Sequence, residues 1–247
     1  MLAGLTAIDV TAVEMARDHY RTQLGLALFA QLQAEWLRLW AIENNTMDGQ
    51  AFGQRKLRNV CLWLMMKANE DEAQDYCCQQ FSAAGTMTDQ IASFALLVNA
   101  NNTHQRQQAI NNFYSQWSQN ELVIDKWFAI QASNEALDTL THVRQLLQHP
   151  DFSMTNPNRV RSLIGAFSQN NQRNFNAIDG SGYAFLGDML IAMDAINPQI
   201  AARLATPFTR WQRLDRPRQV LMQAQLARLA TLKLSPDLHE IISKSLQ

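Results

Sequence analysis

The sequence is poor in cysteine, and this excludes a fold held together by disulfides. Only three cysteines occur in 247 residues, with Cys61 alone and Cys77 directly beside Cys78. A secreted disulfide framework needs more cysteines at regular spacing, and adjacent cysteines bridge each other only with strain. We therefore expect reduced thiols packed on helices, in a reducing compartment.

The sequence also lacks an excess of charge of either sign. Lys and Arg number 21 against 22 Asp and Glu, which gives a net charge of -1. A nucleic-acid-binding surface needs a basic footprint, so no nucleic-acid partner is expected. No window approaches the roughly 20 apolar residues that span a bilayer, and the first six residues lack the basic start and apolar core of a signal peptide. The sequence predicts a cytoplasmic protein with no membrane partner.

The residue patterns of metal and nucleophile chemistry are missing. A helical zinc site needs two histidines at i, i+4, but His239-Glu240 is followed by serine, Ser243, where the second histidine would stand. No other pair has that spacing among the five histidines, His19, His104, His142, His149 and His239. Gly180-Ser181-Gly182 lacks the elbow that exposes a serine nucleophile, and no phosphate-binding glycine pattern occurs. We predict no metal ligand and no catalytic residue in this chain.

Helical periodicity dominates what is present. Apolar residues recur at i, i+3, i+4 and i+7 over segments of about 12 to 18 residues, separated by short polar breaks. The apolar stripes are Leu24, Leu28, Leu32, Trp36 and Leu39; Leu57, Val60, Cys61, Leu64, Met65 and Ala68; Ile91, Phe94, Ala95 and Val98; Ala109, Ile110, Phe113 and Trp117; and Leu137, Leu140, Val143 and Leu147. This spacing predicts an all-α fold, an irregular superhelix of stacked helical hairpins of the HEAT or armadillo type. Residues 1–247 are expected to form a single domain.

Helix-start signals support this prediction in the second half. Ser235-Pro236-Asp237 and Asn197-Pro198 each offer a capping side chain followed by proline at the first helical position. We predict one helix from Pro198 to about Leu214 and another from Pro217 to about Leu232, with Asp215-Arg216 as the turn between them. The residues between 168 and 182 are predicted to form one loop, ending in a turn that caps a helix near Tyr183.

A polar constellation in this half is the candidate site. Arg159 and Arg161 follow the Asn156-Pro157-Asn158 turn at the start of a helix, and Gln199 and Arg203 lie at i, i+4 near the start of another. Guanidinium groups near helix N-termini bind carboxylates or carbonyls well. These arginines either tie loops to backbone carbonyls and to carboxylates such as Asp179 and Asp188, or line a cavity that holds part of a peptide.

Several runs of residues, in order, resemble one family along nearly the whole chain. They are Leu57-Arg58-Asn59 with Cys61-Leu62, residues 122–132, Asn156-Pro157-Asn158-Arg159 with residues 162–167, residues 179–183, and residues 197–201. The family is the bacterial zinc aminopeptidase N, also called alanyl aminopeptidase, and the match is to its C-terminal helical domain. In that family, this domain follows a β-rich N-terminal domain, a thermolysin-like catalytic domain and a small β-domain, and it closes over the active site.

The resemblance implies a function for the chain. The family's Gly-x-Met-Glu-Asn and His-Glu-x-x-His motifs belong to the catalytic domain and do not occur here, so zinc is expected in the parent enzyme and no cofactor in this chain. The expected role is to cap the active site, control access and contact substrate through Arg161, Gln199, Arg203 and Asn158. The expected partners are the catalytic and N-terminal domains of the same polypeptide, together with peptide substrates.

The sequence leaves alternatives open for the origin and the function of the chain. The chain is either the C-terminal part of a full aminopeptidase, which its opening in mid-family favours, or a freestanding helical protein derived from one. A helical-repeat interaction scaffold with a concave binding surface is the rival function. Catalysis by this chain alone is a third option, against which the missing motifs speak.

Overall fold

The computed structural model describes residues 7–42, 46–136 and 138–247. In these ranges the chain is almost entirely helical, with no strand beyond one isolated bridge between Ile8 and Leu214. The prediction of an all-α fold is confirmed. Leu137, which was placed on an apolar helix face, lies outside the described residues.

Two compact units make up the chain. One runs from Glu14 to Trp117, and the other combines the residues up to Val13 with Ser118–Gln247. A single domain over residues 1–247 stays a prediction.

In the first unit each helix from α2 to α5 packs against the next one along the chain, and the series ends at α6. Its helices are α1 (Val10–Ala27), which begins before the unit, α2 (Phe29–Trp40), α3 (Gly49–Ala68), α4 (Glu70–Ala83), α5 (Met87–Val98) and α6 (Thr103–Trp117). Polar side chains start three of them, because Asp48, Asn69 and Thr86 accept hydrogen bonds from backbone N–H groups in the first turn.

The first predicted stripe is not one helix. The chain leaves helical geometry at Leu28, which is exposed, whereas Trp36 and Leu39 farther along are buried. Gly25 allows α1 to approach α3 closely, since a Cβ atom there would lie 2.5 Å from the carbonyl oxygen of Leu64. The stripe therefore belongs to two helices, and the prediction was wrong for Leu28.

The buried face of α3 also differs from the prediction at its start. Leu57 and Val60 are exposed, whereas Arg58 is buried. Its guanidinium donates to Asp89 at 2.6 Å and to the carbonyl oxygen of Leu39 at 3.2 Å. An arginine with such partners can be buried, so hydrophobicity alone pointed to the wrong residues.

The second unit contains shorter helices. They are α7 (Glu121–Ala132), α8 (Thr139–Leu146), α9 (Pro157–Val160), a π-helix (Arg161–Gly165), α10 (Ala166–Asn170), α11 (Gln172–Phe175), α12 (Ser181–Asp194), α13 (Pro198–Leu204), a 3₁₀ helix (Thr206–Arg213), α14 (Arg216–Ala230) and α15 (Pro236–Leu246). The predicted loop over 168–182 is thus partly helical. Gly180, with φ of 73°, precedes α12, as the predicted capping turn requires.

The predicted helix from Pro198 to Leu214 is interrupted. It begins at Pro198 behind the Asn197 cap, as expected, but α13 ends at Leu204 and a 3₁₀ helix follows. Pro207 has no N–H for the carbonyl of Arg203, and that carbonyl instead accepts from the Thr206 hydroxyl at 2.7 Å. Proline therefore ends the α-helix, and the second predicted helix appears as α14.

The start of the described chain is attached to the second unit. Ile8 donates its N–H to the carbonyl of Arg213 at 2.8 Å, and Asp215 donates to the carbonyl of Ile8 at 3.0 Å. Buried Arg218 adds bonds to Asp215 at 2.5 Å and to the Thr11 hydroxyl at 2.6 Å. These contacts attach the start of the described chain to the end of the 3₁₀ helix and to the start of α14.

Candidate functional site

The four predicted binding residues lie on two helical segments of the second unit. Asn158 and Arg161 belong to α9 and the π-helix, and Gln199 and Arg203 belong to α13. The two segments pack against each other: a Cβ atom on Gly165 would lie 3.7 Å from Leu204 Cδ2 and 3.8 Å from Arg161 Cβ. All four side chains are exposed.

Asn158 and Arg161 form one pair. The Asn156 side chain caps α9 by accepting from the N–H groups of Asn158 and Arg159. The Arg161 guanidinium donates to the Asn158 side-chain oxygen and, at 3.3 Å, to the carbonyl of Pro157. The arginine thus lies along its own helical turn, with no carboxylate partner among the described residues.

The helix that carries Arg161 has an unusual geometry. It passes from α9 into a π-helix, and the apolar face predicted for it is confirmed, because Val160, Leu163, Ile164 and Phe167 are fully buried. The π geometry was not predicted, since no residue pattern in the sequence indicates it. π-bulges inside helices occur frequently at functional sites.

Gln199 and Arg203 form the second pair and line an open cavity of about 430 Å³. The cavity lies between α13, which contributes Gln199, Ala202 and Arg203, and α15, which contributes three residues to the opposite wall. Those residues are Asp237, Glu240 and Ile241. The cavity therefore carries one cation, two carboxylates, an amide and two apolar side chains.

The charged groups of the cavity differ in their partners. Glu240 pairs with Lys244 at 2.5 Å, and the hydrogen bond from Lys244 lowers the pKa of the Glu240 carboxyl. Neither Arg203 nor Asp237 forms an ion pair with any residue that the structure describes. Both side chains are exposed.

Arg159 has a different position from Arg161. It is buried and donates to Asp125 at 2.5 Å, to the carbonyl of Glu121 at 3.0 Å and to the carbonyl of Asp151 at 2.9 Å. Arg159 thus binds backbone carbonyls and a carboxylate, which is one of the two roles that the sequence left open. The carboxylate is Asp125 rather than Asp179 or Asp188. Asp188 pairs with Arg228 and Asp179 accepts from the N–H of Ser181.

The remaining candidates for chemistry do not form a site. In α15 the His239 ring lies 3.4 Å from the Ser243 hydroxyl, where a zinc site would need a second histidine. Across residues 7–42, 46–136 and 138–247, no group of three or more His, Cys, Asp or Glu is placed to hold a metal ion. These side chains do not fit a zinc centre.

The thiols are unsuited to nucleophilic chemistry. Burial raises the pKa of the Cys77 thiol far above its ordinary value, and burial also raises the pKa of Cys78. A high pKa keeps a thiol protonated and inert.

Sequence reasoning missed Asp237 and Glu240 as members of the site. The Ser235-Pro236-Asp237 pattern correctly predicted the start of α15, and Ser235 accepts from the N–H of Leu238 as a cap. No signal in the sequence places that helix opposite α13, since the two pairs of residues are about 40 positions apart.

Comparisons with known proteins place the chain in a family. The family model described as "Domain of unknown function (DUF3458_C) ARM repeats" matches residues 1–247, and the chain belongs to this family. It is 40% identical over 240 residues to Aminopeptidase N of Escherichia coli, covering 97% of this chain and 27% of that protein. It is 38% identical over 241 residues to Aminopeptidase N of Caulobacter vibrioides, covering 97% of this chain and 28% of that protein.

A solved structure agrees with these relatives. The crystal structure of Legionella pneumophila aminopeptidase A in complex with aspartic acid superposes with a TM-score of 0.90 at 26% identity, covering 99% of this chain and 30% of that one. The resemblance to aminopeptidase N is confirmed, and it supports a domain of an aminopeptidase. The chain spans less than a third of the length of these relatives. In the described ranges, no helix has the length and apolarity needed to cross a membrane.

Proposed function

We propose that this chain is the C-terminal helical domain of a zinc-dependent aminopeptidase that removes N-terminal residues from peptides. In this proposal the domain caps the active site, controls access to it and contacts the substrate, and the bond chemistry belongs to another part of the polypeptide. Its partners are the catalytic and N-terminal domains of that polypeptide and the peptide substrate. The similarity to aminopeptidases over nearly the whole chain supports this role.

The cavity beside Arg203 is the observation that carries the proposal. An exposed guanidinium without an ion-pair partner stands next to the Gln199 amide in an open cavity of the described chain. A guanidinium binds a carboxylate through two parallel hydrogen bonds, and an amide both donates to and accepts from a peptide backbone. The two side chains can therefore hold the downstream end of a peptide. Arg161, on the neighbouring helical segment, is a second exposed guanidinium without a carboxylate partner among the described residues.

The contribution of these groups is positioning. Holding the downstream residues of a peptide orients the scissile bond without any proton transfer by the arginines. Zinc, which would activate water in the catalytic domain, has no ligands in the described part of this chain, so no step here depends on it.

The test uses the full-length aminopeptidase that contains this segment. Arg161→Ala and Arg203→Ala are each expected to lower kcat/KM for tripeptides by at least about tenfold, since a hydrogen bond to a charged group contributes roughly 1.5–3 kcal/mol. Hydrolysis of an aminoacyl p-nitroanilide, which has no downstream residues, should stay unchanged.

Arg210→Ala is the control, because Arg210 is an exposed arginine on the 3₁₀ helix outside the cavity. If the Arg161→Ala and Arg203→Ala enzymes both cleave tripeptides as well as the parent enzyme, the substrate-contact role is wrong. If all three arginine variants lose activity equally, the effect is one of overall charge.

A further inference from the structure

The cavity between α13 and α15 has walls of opposite charge. Arg203 and Gln199 stand on α13, whereas Asp237 and Glu240 stand on α15. We propose that this cavity selects peptides whose C-terminal residue has a cationic side chain, with Arg203 binding the carboxylate and Asp237 binding the side-chain cation. The inference rests on the proposed function and adds a substrate class to it.

The charges of the cavity favour this ligand. Arg203 and Asp237 form no ion pair with each other or with another described residue, so each lacks a counter-charge that a ligand could supply. A C-terminal lysine or arginine supplies both counter-charges, because it has a carboxylate and a cation separated by an aliphatic stem. Glu240 already shares its charge with Lys244, so Asp237 is the main acceptor.

The size and the apolar lining fit the same ligand. The open volume of about 430 Å³ is large enough for one amino-acid residue with a long side chain. Ala202 and Ile241 give the cavity apolar surface between its charged groups. Lysine and arginine bury their methylene stems against such surface while the charged ends stay polar.

Both walls are fixed in place. At the start of α15, Ser235 donates its N–H and its hydroxyl to the Asp194 carboxylate at 2.7 and 2.5 Å. Near the end of α15, the carbonyl of Ser245 accepts from the Trp211 indole at 2.6 Å, and Trp211 belongs to the 3₁₀ helix that follows α13. These bonds hold the two ends of α15 in place, so the helix that carries Asp237 is positioned before a ligand arrives, which lowers the cost of binding.

The experiment measures peptide binding to the 247-residue chain by NMR titration. The probes are Ala-Ala-Lys, Ala-Ala-Ala, Ala-Ala-Glu and the C-terminal amide of Ala-Ala-Lys. Ala-Ala-Lys should bind about threefold to fivefold more tightly than Ala-Ala-Ala, as expected for one solvent-accessible ion pair, and Ala-Ala-Glu more weakly than both. The amide should bind more weakly than the free acid, and about 0.5 M salt should reduce the preference for lysine.

Variants assign the preference to a residue. Asp237→Asn should make Ala-Ala-Lys and Ala-Ala-Ala equal, and Asp237→Lys should reverse the order in favour of Ala-Ala-Glu. The matched control is Asp71→Asn, because Asp71 is an exposed acid at the second position of α4, as Asp237 is in α15. It removes the same charge from the same helix position and should leave the preference for lysine unchanged.

The outcomes separate this inference from the function on which it rests. If Arg203→Ala weakens all free-acid peptides but their order does not depend on the C-terminal side chain, the substrate contact stands and the selectivity is wrong. If lysine is preferred and Asp237→Asn keeps that preference, the assignment to Asp237 is wrong. If no peptide binds at concentrations up to about 10 mM, a free energy weaker than about 3 kcal/mol, the selectivity is wrong, and the tripeptide kinetics of the full-length enzyme decide the substrate-contact role separately.

Discussion

At the scale of single residues, Arg159 and Arg161 show how two neighbours in one motif acquire different roles. Both follow the Asn156 cap, and the sequence offers no rule that separates them. The partner that decides the role of Arg159 is Asp125, 34 residues away on α7. The Arg159 guanidinium also lies over the Phe128 ring, 5.5 Å from its centroid. Only the packing of α9 against α7 makes one arginine structural and leaves the other exposed.

Removing these two side chains should therefore have unequal effects on stability. Arg159→Ala leaves the Asp125 carboxylate and two backbone carbonyls without their donor, and we expect the free energy of unfolding to fall by about 3–5 kcal/mol. Arg161→Ala should change it by no more than about 0.5 kcal/mol, as for most exposed positions. Urea unfolding followed by circular dichroism measures both. Equal losses would contradict the division between a structural and an exposed arginine.

At the scale of helices, the sequence predicted where elements begin better than where they end or which face they bury. Capping residues act within their own turn, so the starts at Pro198 and Pro236 were correct. The end of α13 depends on Pro207, which lies inside the predicted helix and lacks the N–H that would continue it. The buried face of α3 depends on Asp89, which belongs to another helix and makes burial of Arg58 possible.

Close packing at a helix start is a second effect at this scale, and substitution of Gly182 tests it. Gly182, in the first turn of α12, is buried, and a Cβ atom there would lie 2.3 Å from the carbonyl oxygen of Phe175. Gly182→Ala must displace backbone, so we expect it to lower the free energy of unfolding by about 1–3 kcal/mol or more.

Gly53 is the matched control, because it lies inside α3 and a Cβ atom added there would meet no other atom within 4 Å. Gly53→Ala should raise the free energy of unfolding by about 0.5–1 kcal/mol, because alanine is the better helix former. Thermal and urea unfolding of the two variants should move in opposite directions. A destabilised Gly53→Ala, or an unchanged Gly182→Ala, would show that α3 or α12 packs differently.

At the scale of the whole molecule, the family and the all-α class could be predicted from the sequence because they depend on many positions at once. Only half of the candidate cavity could be predicted from the sequence. Gln199 and Arg203 are i, i+4 on one helix, so their common face follows from helical spacing alone. Asp237 and Glu240 join them only through the packing of α13 against α15. Local patterns carry no information on that contact, and this is why the acidic wall was not predicted.

The exposed apolar surface of the first unit leads to a last prediction at this scale. Phe52, Leu57 and Val60 are apolar residues of α3 and are 50%, 45% and 39% exposed. Large apolar side chains that are exposed favour association, because contact removes them from water. We expect the 247-residue chain to self-associate reversibly as its concentration rises, with a concentration-dependent mass in sedimentation equilibrium.

A double substitution with a matched control tests the surface directly. Leu57→Ser with Val60→Ser should shift the equilibrium toward the monomer, since it removes two of the three apolar side chains without touching the buried Arg58 beside them. Leu122→Ser changes a single leucine that is 69% exposed on α7 and should leave self-association as it was. A chain that stays monomeric at all concentrations would show that these residues of α3 do not drive association. Equal effects of the two sets of variants would place the contact elsewhere.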